Sequence, residues 1–320
     1  MVEVKGQRIL VTGATGFVGQ RVCALLESMG ALVVKTSRAP RSEPNMFQVD
    51  PLGPNSNWKD ALQGCHAVVH LAARVHVMND QSANPLHEFR LANTAGTLQL
   101  ARQAAQCGVT RLVFVSSIKV NGEAGEFTVN SQPNPIDPYG ISKFEAEQQL
   151  FEFSKQSGLE VTVVRPPLVY GPGVRANFLK LLGAVARGIP LPFGAVHNKR
   201  SLVFVGNLAS AIASCVQHPN AVGRVFLVSD NADVSTAQLV REMANALGRK
   251  PNVLPVPPAL IETVAALLGK RAAVQRLLGN LTVSPQVLCD ELNWSPPFTL
   301  QAGMKETVDW YLQQGQLKIA

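Results

Sequence analysis

Arg8-Ile-Leu-Val-Thr12-Gly13-Ala-Thr-Gly16-Phe-Val-Gly19 is the stretch whose reading decides the fold. Its first five residues are a short β-branched run of the kind that forms a buried strand. After Gly19 an apolar helical pattern runs through Val22, Leu25, Leu26 and Met29. Strand, glycine-rich turn and helix in that order present backbone N–H groups and a helix N-terminus to a diphosphate. Gly13 permits the tight turn, Gly16 lets the backbone approach the phosphates, and Gly19 lets the helix pack close to the strand. Thr15, Phe17 and Val18 belong to the same turn and are expected to join the glycines at a bound dinucleotide. The alternative is a plain strand-to-helix turn.

Working outward, the second strand is Leu32-Val-Val-Lys-Thr-Ser37, followed by Arg38 and Arg41. In NAD-binding chains an acidic side chain at this strand end takes the ribose 2′-hydroxyl. Ser37 and Arg38 stand here instead, a hydroxyl and a guanidinium that would accept a 2′-phosphate. The expectation is NADP(H) as the preferred cofactor, with NAD(H) possible; otherwise Arg38 and Arg41 are solvated loop charges. Met46-Phe-Gln-Val49 is a third strand, and Asp50 after it is placed to touch the adenine amine. Residues 57–62 form a short helix.

The fourth strand, residues 66–73, ends in Leu71, Ala72 and Ala73, and small residues there leave room for a ligand in the crevice. His70 inside that apolar run reads as a packed core residue, whereas Arg74 and His76 follow on a loop within reach of a substrate. Residues 85–107 carry one long helical pattern ending at Gly108, with Asn93 in mid-helix where propensity does not favour an amide. The fifth strand, 111–117, ends in Ser116 and Ser117, and the sixth is 159–164. This alternation implies an α/β fold, a doubly wound parallel Rossmann-type sheet.

Tyr139-Gly-Ile-Ser-Lys143 sits on the helix that precedes the sixth strand, with Pro138 as a helix-start residue. The tyrosine and lysine lie one turn apart on one face. An ammonium beside a phenol favours the phenolate, so Lys143 is expected to lower the Tyr139 pKa and make Tyr139 a proton donor and acceptor at working pH. The bland alternative is a surface pair.

After Arg165-Pro166 the alternation breaks. A helix over 177–187 leaves the sheet; a strand over 201–205 and a helix over 207–217 are expected to return to it. Residues 225–229 form one more strand, and helices over 235–247 and 299–312 follow. The apolar and basic segment 257–281 is read as helices covering a smaller, mainly C-terminal substrate domain, ahead of a membrane-surface role. The expected division is 1–165 plus 201–229 for the dinucleotide and 166–200 plus 230–320 for the substrate.

A net charge of +7 without any long Lys/Arg run argues against nucleic acid and for a small anionic ligand. The five cysteines are far apart and show no metal-ligand spacing, as in reduced core residues, so no metal is expected. The start of the chain has no signal-peptide apolar region and no run is long enough to span a bilayer, which predicts a cytoplasmic protein without an integral membrane segment.

Together Gly13-x-x-Gly16-x-x-Gly19, His70-Leu-Ala-Ala73, Asn93, Ser116-Ser117, Tyr139-x-x-x-Lys143 and Arg165-Pro166 resemble the extended short-chain dehydrogenase/reductase superfamily over nearly the whole chain. Within it the chain is similar to the nucleotide-sugar branch of UDP-hexose 4-epimerases and 4-ketoreductases. The resemblance implies Ser117, Tyr139 and Lys143 as the catalytic set, with Asn93 and Pro166 among the cofactor contacts. It implies a UDP-sugar held by Arg74, Ser116, Ser117, Lys119, Asn177 and Arg200. Sugar-nucleotide 4,6-dehydratases carry Thr-Asp-Glu where this chain has Ser117-Ile-Lys119, so the acid and base needed for elimination are absent. Lys119 departs from the epimerase pattern too, with contact to the sugar, contact to a cofactor phosphate and exposure to solvent all left open.

The text looks closest to bacterial 4-keto reductases that form UDP-N-acetylquinovosamine-type sugars for surface polysaccharide. The missing acid at the second strand end places an NADPH-dependent 4-ketoreductase ahead of a 4-epimerase with retained nicotinamide. A reductase of small aromatic or steroid ketones and a non-catalytic NADP sensor are further alternatives. By analogy the chain is expected to form a homodimer through helices 85–107 and 139–156.

Overall fold

The apolar runs read above assemble, in a computed structural model that describes residues 4–75, 82, 84–267, 269 and 271–317, into one main sheet with helices on both faces. The strands in chain order are β1 (Arg8–Thr12), β2 (Leu32–Ser37), β3 (Met46–Gln48), β4 (Ala67–His70), β5 (Arg111–Val115), β6 (Gly125–Phe127), β7 (Glu160–Arg165), β8 (Leu168–Tyr170), β9 (Leu202–Phe204), β10 (Val225–Leu227) and β11 (Leu281–Val283). The α-helices are α1 (Phe17–Ser28), α2 (Lys59–Leu62), α3 (Pro85–Phe89), α4 (Gly96–Gln106), α5 (Pro138–Ser157), α6 (Ala176–Ala186), α7 (Val205–Gln217), α8 (Thr236–Ala246), α9 (Pro258–Leu267), α10 (Arg271–Leu278), α11 (Gln286–Leu292) and α12 (Leu300–Leu317).

The main sheet has the order β10-β7-β5-β4-β1-β2-β3, and every pairing in it is parallel. The chain winds outward from β1 to β3, then crosses to the other side of β1 with β4. That reversal puts a ligand crevice at the carboxyl ends of β1 and β4, where Thr12 stands opposite His70. The central strands β1, β4, β5 and β7 are almost fully buried on both faces, as a sheet covered by helices requires.

One expectation fails in this region. The strand at 202–204 does not rejoin the main sheet; it pairs with β8 in a separate two-stranded sheet, with Leu168 opposite Leu202. Pro166 and Pro167 have no N–H to continue the β7 ladder, so the chain leaves the sheet there and β8 takes its own partner. The helix after it does return: Leu208, Ile212 and Cys215 of α7 share a core with Val11, Val22 and Leu26. Thus β8 and β9, assigned to different halves on sequence, are hydrogen-bonded neighbours. The fourth and fifth strands also end earlier than expected, at His70 and Val115, which frees the residues after them for the crevice.

The pattern at 85–107 is one rod, but residues 90–95 form a wider π turn between α3 and α4. Such a bulge re-aims side chains, here Asn93 and Thr94. The second lobe packs around Tyr170, Phe178, Leu182, Phe204, Met243 and Met304. Its α9 turns Ile261 and Ala265 inward and leaves Leu260, Val264 and Leu267 exposed. A row of single bridges joins Val234 to Arg200 and Arg200 to Leu281, and Leu281 pairs with Gly125, so the C-terminal segment is tied to the loop before α5. Among the described residues no helix is long and apolar enough to cross a membrane.

Candidate active site

The glycine turn at the crevice has the shape its spacing demands. Gly13 has φ +68°, and a Cβ there would lie 3.0 Å from the Ala72 nitrogen. At Gly19 a Cβ would lie 2.1 Å from the Gly13 oxygen and 2.8 Å from Ala14 Cα, so only glycine allows α1 to sit this close to the turn. Thr15 and Gly16 are exposed, Phe17 and Val18 partly so, and no side chain caps α1. Its first-turn N–H groups therefore suit an anion, and the cradle fits the diphosphate of a dinucleotide. The Thr12 hydroxyl accepts from the Leu71 and Ala72 N–H groups at 3.1 Å each, which fixes residues 71–73 beside the glycines.

At the far end of the crevice, Ser37 is buried and Arg38 exposed where β2 stops. The Val49 N–H donates to the Ser37 carbonyl at 3.0 Å, bringing Asp50 to the same edge. Asp50 borders a crevice of about 260 Å³ with Phe47, Asn57 and Asp60. Arg41 pairs with Glu43 at 3.3 Å on the exposed loop and stays away from this group.

The side chains expected to react meet at the end of β5. Ser117 caps a 3₁₀ turn (Ile118–Val120), its hydroxyl accepting from the Lys119 N–H at 3.2 Å. The Asp137 carboxylate caps α5 by accepting from the Gly140 N–H at 2.6 Å, and Pro138 takes the first helical position. A Cβ on Gly140 would lie 2.8 Å from the Lys119 carbonyl oxygen. That close approach presses the start of α5 onto the Ser117 turn and brings the Ser117 hydroxyl near the Tyr139 phenol.

The expected electrostatics are corrected here. Burial, and then the Asp137 charge, push the Tyr139 phenol above its ordinary value, while the Ser117 hydrogen bond acts the other way. Lys143 is not what lowers it. Its Nζ donates to the Val115 carbonyl at 2.9 Å and lies 4.3 Å over the Phe114 ring, but 6.0 Å from the centre of the Tyr139 ring. Burial pushes the Lys143 amine down to about 7, with the Glu147 charge opposing. The reason is orientation: on this helix face the amine turns into the strand layer.

Around this cluster lies a shell that the sequence only partly announced. Asn93, expected at the cofactor, is buried and engaged by protein: its Oδ1 accepts from the Arg74 N–H at 2.8 Å, and its Nδ2 donates to the Arg74 carbonyl and to Ser142 Oγ, each at 3.0 Å. Ser142 in turn donates to the Tyr139 carbonyl at 2.8 Å. Asn93 thus positions the loop after β4 against α5. The Arg74 guanidinium stacks 5.4 Å over Phe89, whose ring meets Tyr139 edge-on. The Pro166 carbonyl accepts from the Ile118 N–H at 2.9 Å and braces the Ser117 turn.

The Ser116 hydroxyl is buried without a hydrogen-bond partner among the described residues. His70 is the core residue expected, its ring nitrogens bonded to the Thr12 and Thr97 hydroxyls at 2.7 and 2.9 Å, and burial pushes it down to about 3, so it stays neutral. His76 lies outside the described residues.

Glu147 was missed. It forms a buried ion pair with Arg165 (Nε to Oε1 3.0 Å), whose other arm donates to Asn121 Oδ1 at 3.0 Å. The signal was there: Tyr139, Lys143 and Glu147 repeat at four-residue spacing on one helix face.

Of the alternatives left open for Lys119, exposure to solvent alone is not what the structure shows. Its ammonium pairs with Asp137 and, at 3.3 Å, with Glu123. Asn177 is exposed in the first turn of α6. Arg200 donates to the Gly279 carbonyl at 3.1 Å, and burial pushes its guanidinium below the ordinary value.

The model of the NAD dependent epimerase/dehydratase family matches residues 9–229. A UDP-glucose 4-epimerase of Vibrio cholerae is 45% identical over 313 residues, covering 95% of each chain. An N-acetyl-alpha-D-glucosaminyl-diphospho-ditrans,octacis-undecaprenol 4-epimerase of Escherichia coli O157:H7 is 27% identical, covering 94% of each. A solved structure of MoeE5 in complex with UDP-glucose and NAD has a TM-score of 0.75 at 25% identity and covers 96% of this chain and 99% of that one.

Proposed function

We propose that this chain, which belongs to the NAD dependent epimerase/dehydratase family, is a nicotinamide-dependent 4-epimerase of a UDP-linked hexose. The observation that carries the reading is the meeting of Ser117, Tyr139 and Lys143 at the carboxyl edge of β5, on the same sheet edge as the glycine cradle. The 45% identity to a UDP-glucose 4-epimerase supports the substrate, and a second relative named for a 4-epimerase of a diphosphate-linked sugar supports the reacting carbon. On sequence alone a ketoreductase came first; these relatives reverse the order.

A bound nicotinamide supplies hydride acceptance and return at C4, chemistry that no side chain offers. The glycine turn, Ser37, Arg38, Asp50, residues 71–73 and Lys143 would hold it. Tyr139 takes the proton of the C4 hydroxyl in the oxidative half and gives it back in the reductive half. Ser117 donates to the same oxygen, where charge develops. With its phenol raised, Tyr139 is ready as a donor; the oxidative half needs the phenolate, which the Ser117 hydroxyl favours. Arg200, a half-buried guanidinium bonded to a carbonyl, favours an added anion and with Asn177 would take the diphosphate. We also keep the homodimer through α3–α4 and α5 as a proposal.

The second reading, a 4-ketoreductase working with NADPH, is favoured by Ser37 and Arg38 standing where an acid would be. One experiment separates the two. Purified protein is given UDP-glucose and followed by NMR and nicotinamide absorbance. Formation of UDP-galactose without net change in absorbance is expected. Inactivity there, with stoichiometric NADPH oxidation by UDP-4-keto-6-deoxy-N-acetylglucosamine, would select the reductase. Tyr139→Phe should lose roughly 10²–10⁴-fold in kcat with cofactor binding intact; near-normal turnover would reject the site.

A further inference from the structure

Lys119 is the residue that the reading of this site leaves without a task. Its backbone touches the machinery twice: the N–H donates to Ser117 Oγ, and the carbonyl oxygen is the surface on which Gly140 packs. Its ammonium pairs with the carboxylate of Asp137, which caps the helix carrying Tyr139, and with Glu123 four residues on. We propose that Lys119 is a positioning residue of the active site, clamping the start of the Tyr139 helix to the Ser117 turn and offsetting the Asp137 charge beside the phenol.

The inference rests on Tyr139 as the acid and base. An aspartate is a good helix cap, but placed two residues before the phenol it opposes the phenolate that proton abstraction needs. A lysine on its second oxygen keeps the cap and offsets part of that charge; what remains still pushes the phenol up. The charged groups packed around Tyr139 are Lys143 one turn on, Asp137 at the cap, Lys119 and Glu123 from the turn, and Arg74 stacked on Phe89. Of the two acids, Asp137 is the one that acts on the phenol.

The test is the pH profile of the oxidative half-reaction, read as single-turnover reduction of nicotinamide by UDP-glucose. Lys119→Gln should move the rising limb to higher pH, slowing the step roughly three- to tenfold on that limb. Lys119→Arg, which keeps the charge, should restore it. Asp137→Asn keeps the cap and should move the limb to lower pH, and the Lys119→Gln/Asp137→Asn pair should return close to the original profile. An unshifted limb in Lys119→Gln, or an equal loss at every pH that Lys119→Arg does not rescue, would overturn the proposal. Should Lys119→Gln lose its fold by circular dichroism, the Asp137→Asn profile decides, since an unshifted limb there removes the charge that Lys119 is said to offset. Retained turnover in Tyr139→Phe would instead bring down the reading of the site itself.

Discussion

Replacing Glu147 by glutamine removes one charge from a pair that sees almost no solvent, the Arg165 and Glu147 side chains being 6% and 3% exposed. The wild-type carboxylate accepts from Arg165 Nε at 3.0 and 3.2 Å and from Nη2 at 2.5 Å. The amide keeps the volume and one acceptor but leaves the guanidinium with only Asn121 as a second partner. Breaking one side of a buried pair costs about 3–5 kcal/mol, because the remaining charge is stranded. With an unfolding entropy of about 2.1 cal/mol/K per residue over 320 residues, Tm should fall by about 4–7 °C. Calorimetry of the purified protein measures it. A control removes both charges: Arg165→Met with Glu147→Leu should come back to within about 1 kcal/mol of the wild type or exceed it. A Glu147→Gln protein that melts with the wild type, or a double variant as weak as the single, would refute the account. Loss of Glu147 also withdraws the one charge that supports Lys143 as a cation, so kcat should fall with it.

Gly19→Ala forces a Cβ to 2.1 Å from a backbone oxygen that has no rotamer to escape into. It should cost about 1–3 kcal/mol or more and weaken nicotinamide binding further still; calorimetric titration at wild-type affinity would contradict the close-packed cradle. The ligand-free protein should gain stability as pH rises from 7. Lys143 titrates at about 7 when folded and near 10.5 when unfolded, so between those values the unfolded chain binds more protons. The slope is at most about 1.4 kcal/mol per pH unit, measured by urea unfolding from pH 7 to 9. Lys143→Met should flatten it, and an unchanged slope in that variant would assign the effect elsewhere.

The cofactor half of the protein was legible because its instructions are local. The glycine spacing, the β-branched runs and the helix after them fall within a dozen residues, and each acts on its own backbone. Tyr139 and Lys143 could be placed on one face from helix geometry alone. The direction in which the Lys143 amine turns could not, since that depends on the Val115 carbonyl and the Phe114 ring from a strand 28 positions earlier. Asn93 was expected at the cofactor by resemblance alone; its protein partners, Arg74 and Ser142, lie 19 and 49 positions away and no local pattern names them.

The sequence by itself determined the doubly wound sheet, the cradle at Gly13–Gly19 and the placing of Tyr139 and Lys143 on one helix face. Periodicity and steric freedom are properties of a segment, and a segment can be read without its neighbours. The tertiary structure decided that β9 joins β8, that Glu147 binds Arg165 and that Lys119 binds Asp137. Those choices set which charges lie side by side, and no local pattern carries them, because a charge acts through space on whatever the fold brings within a few ångströms.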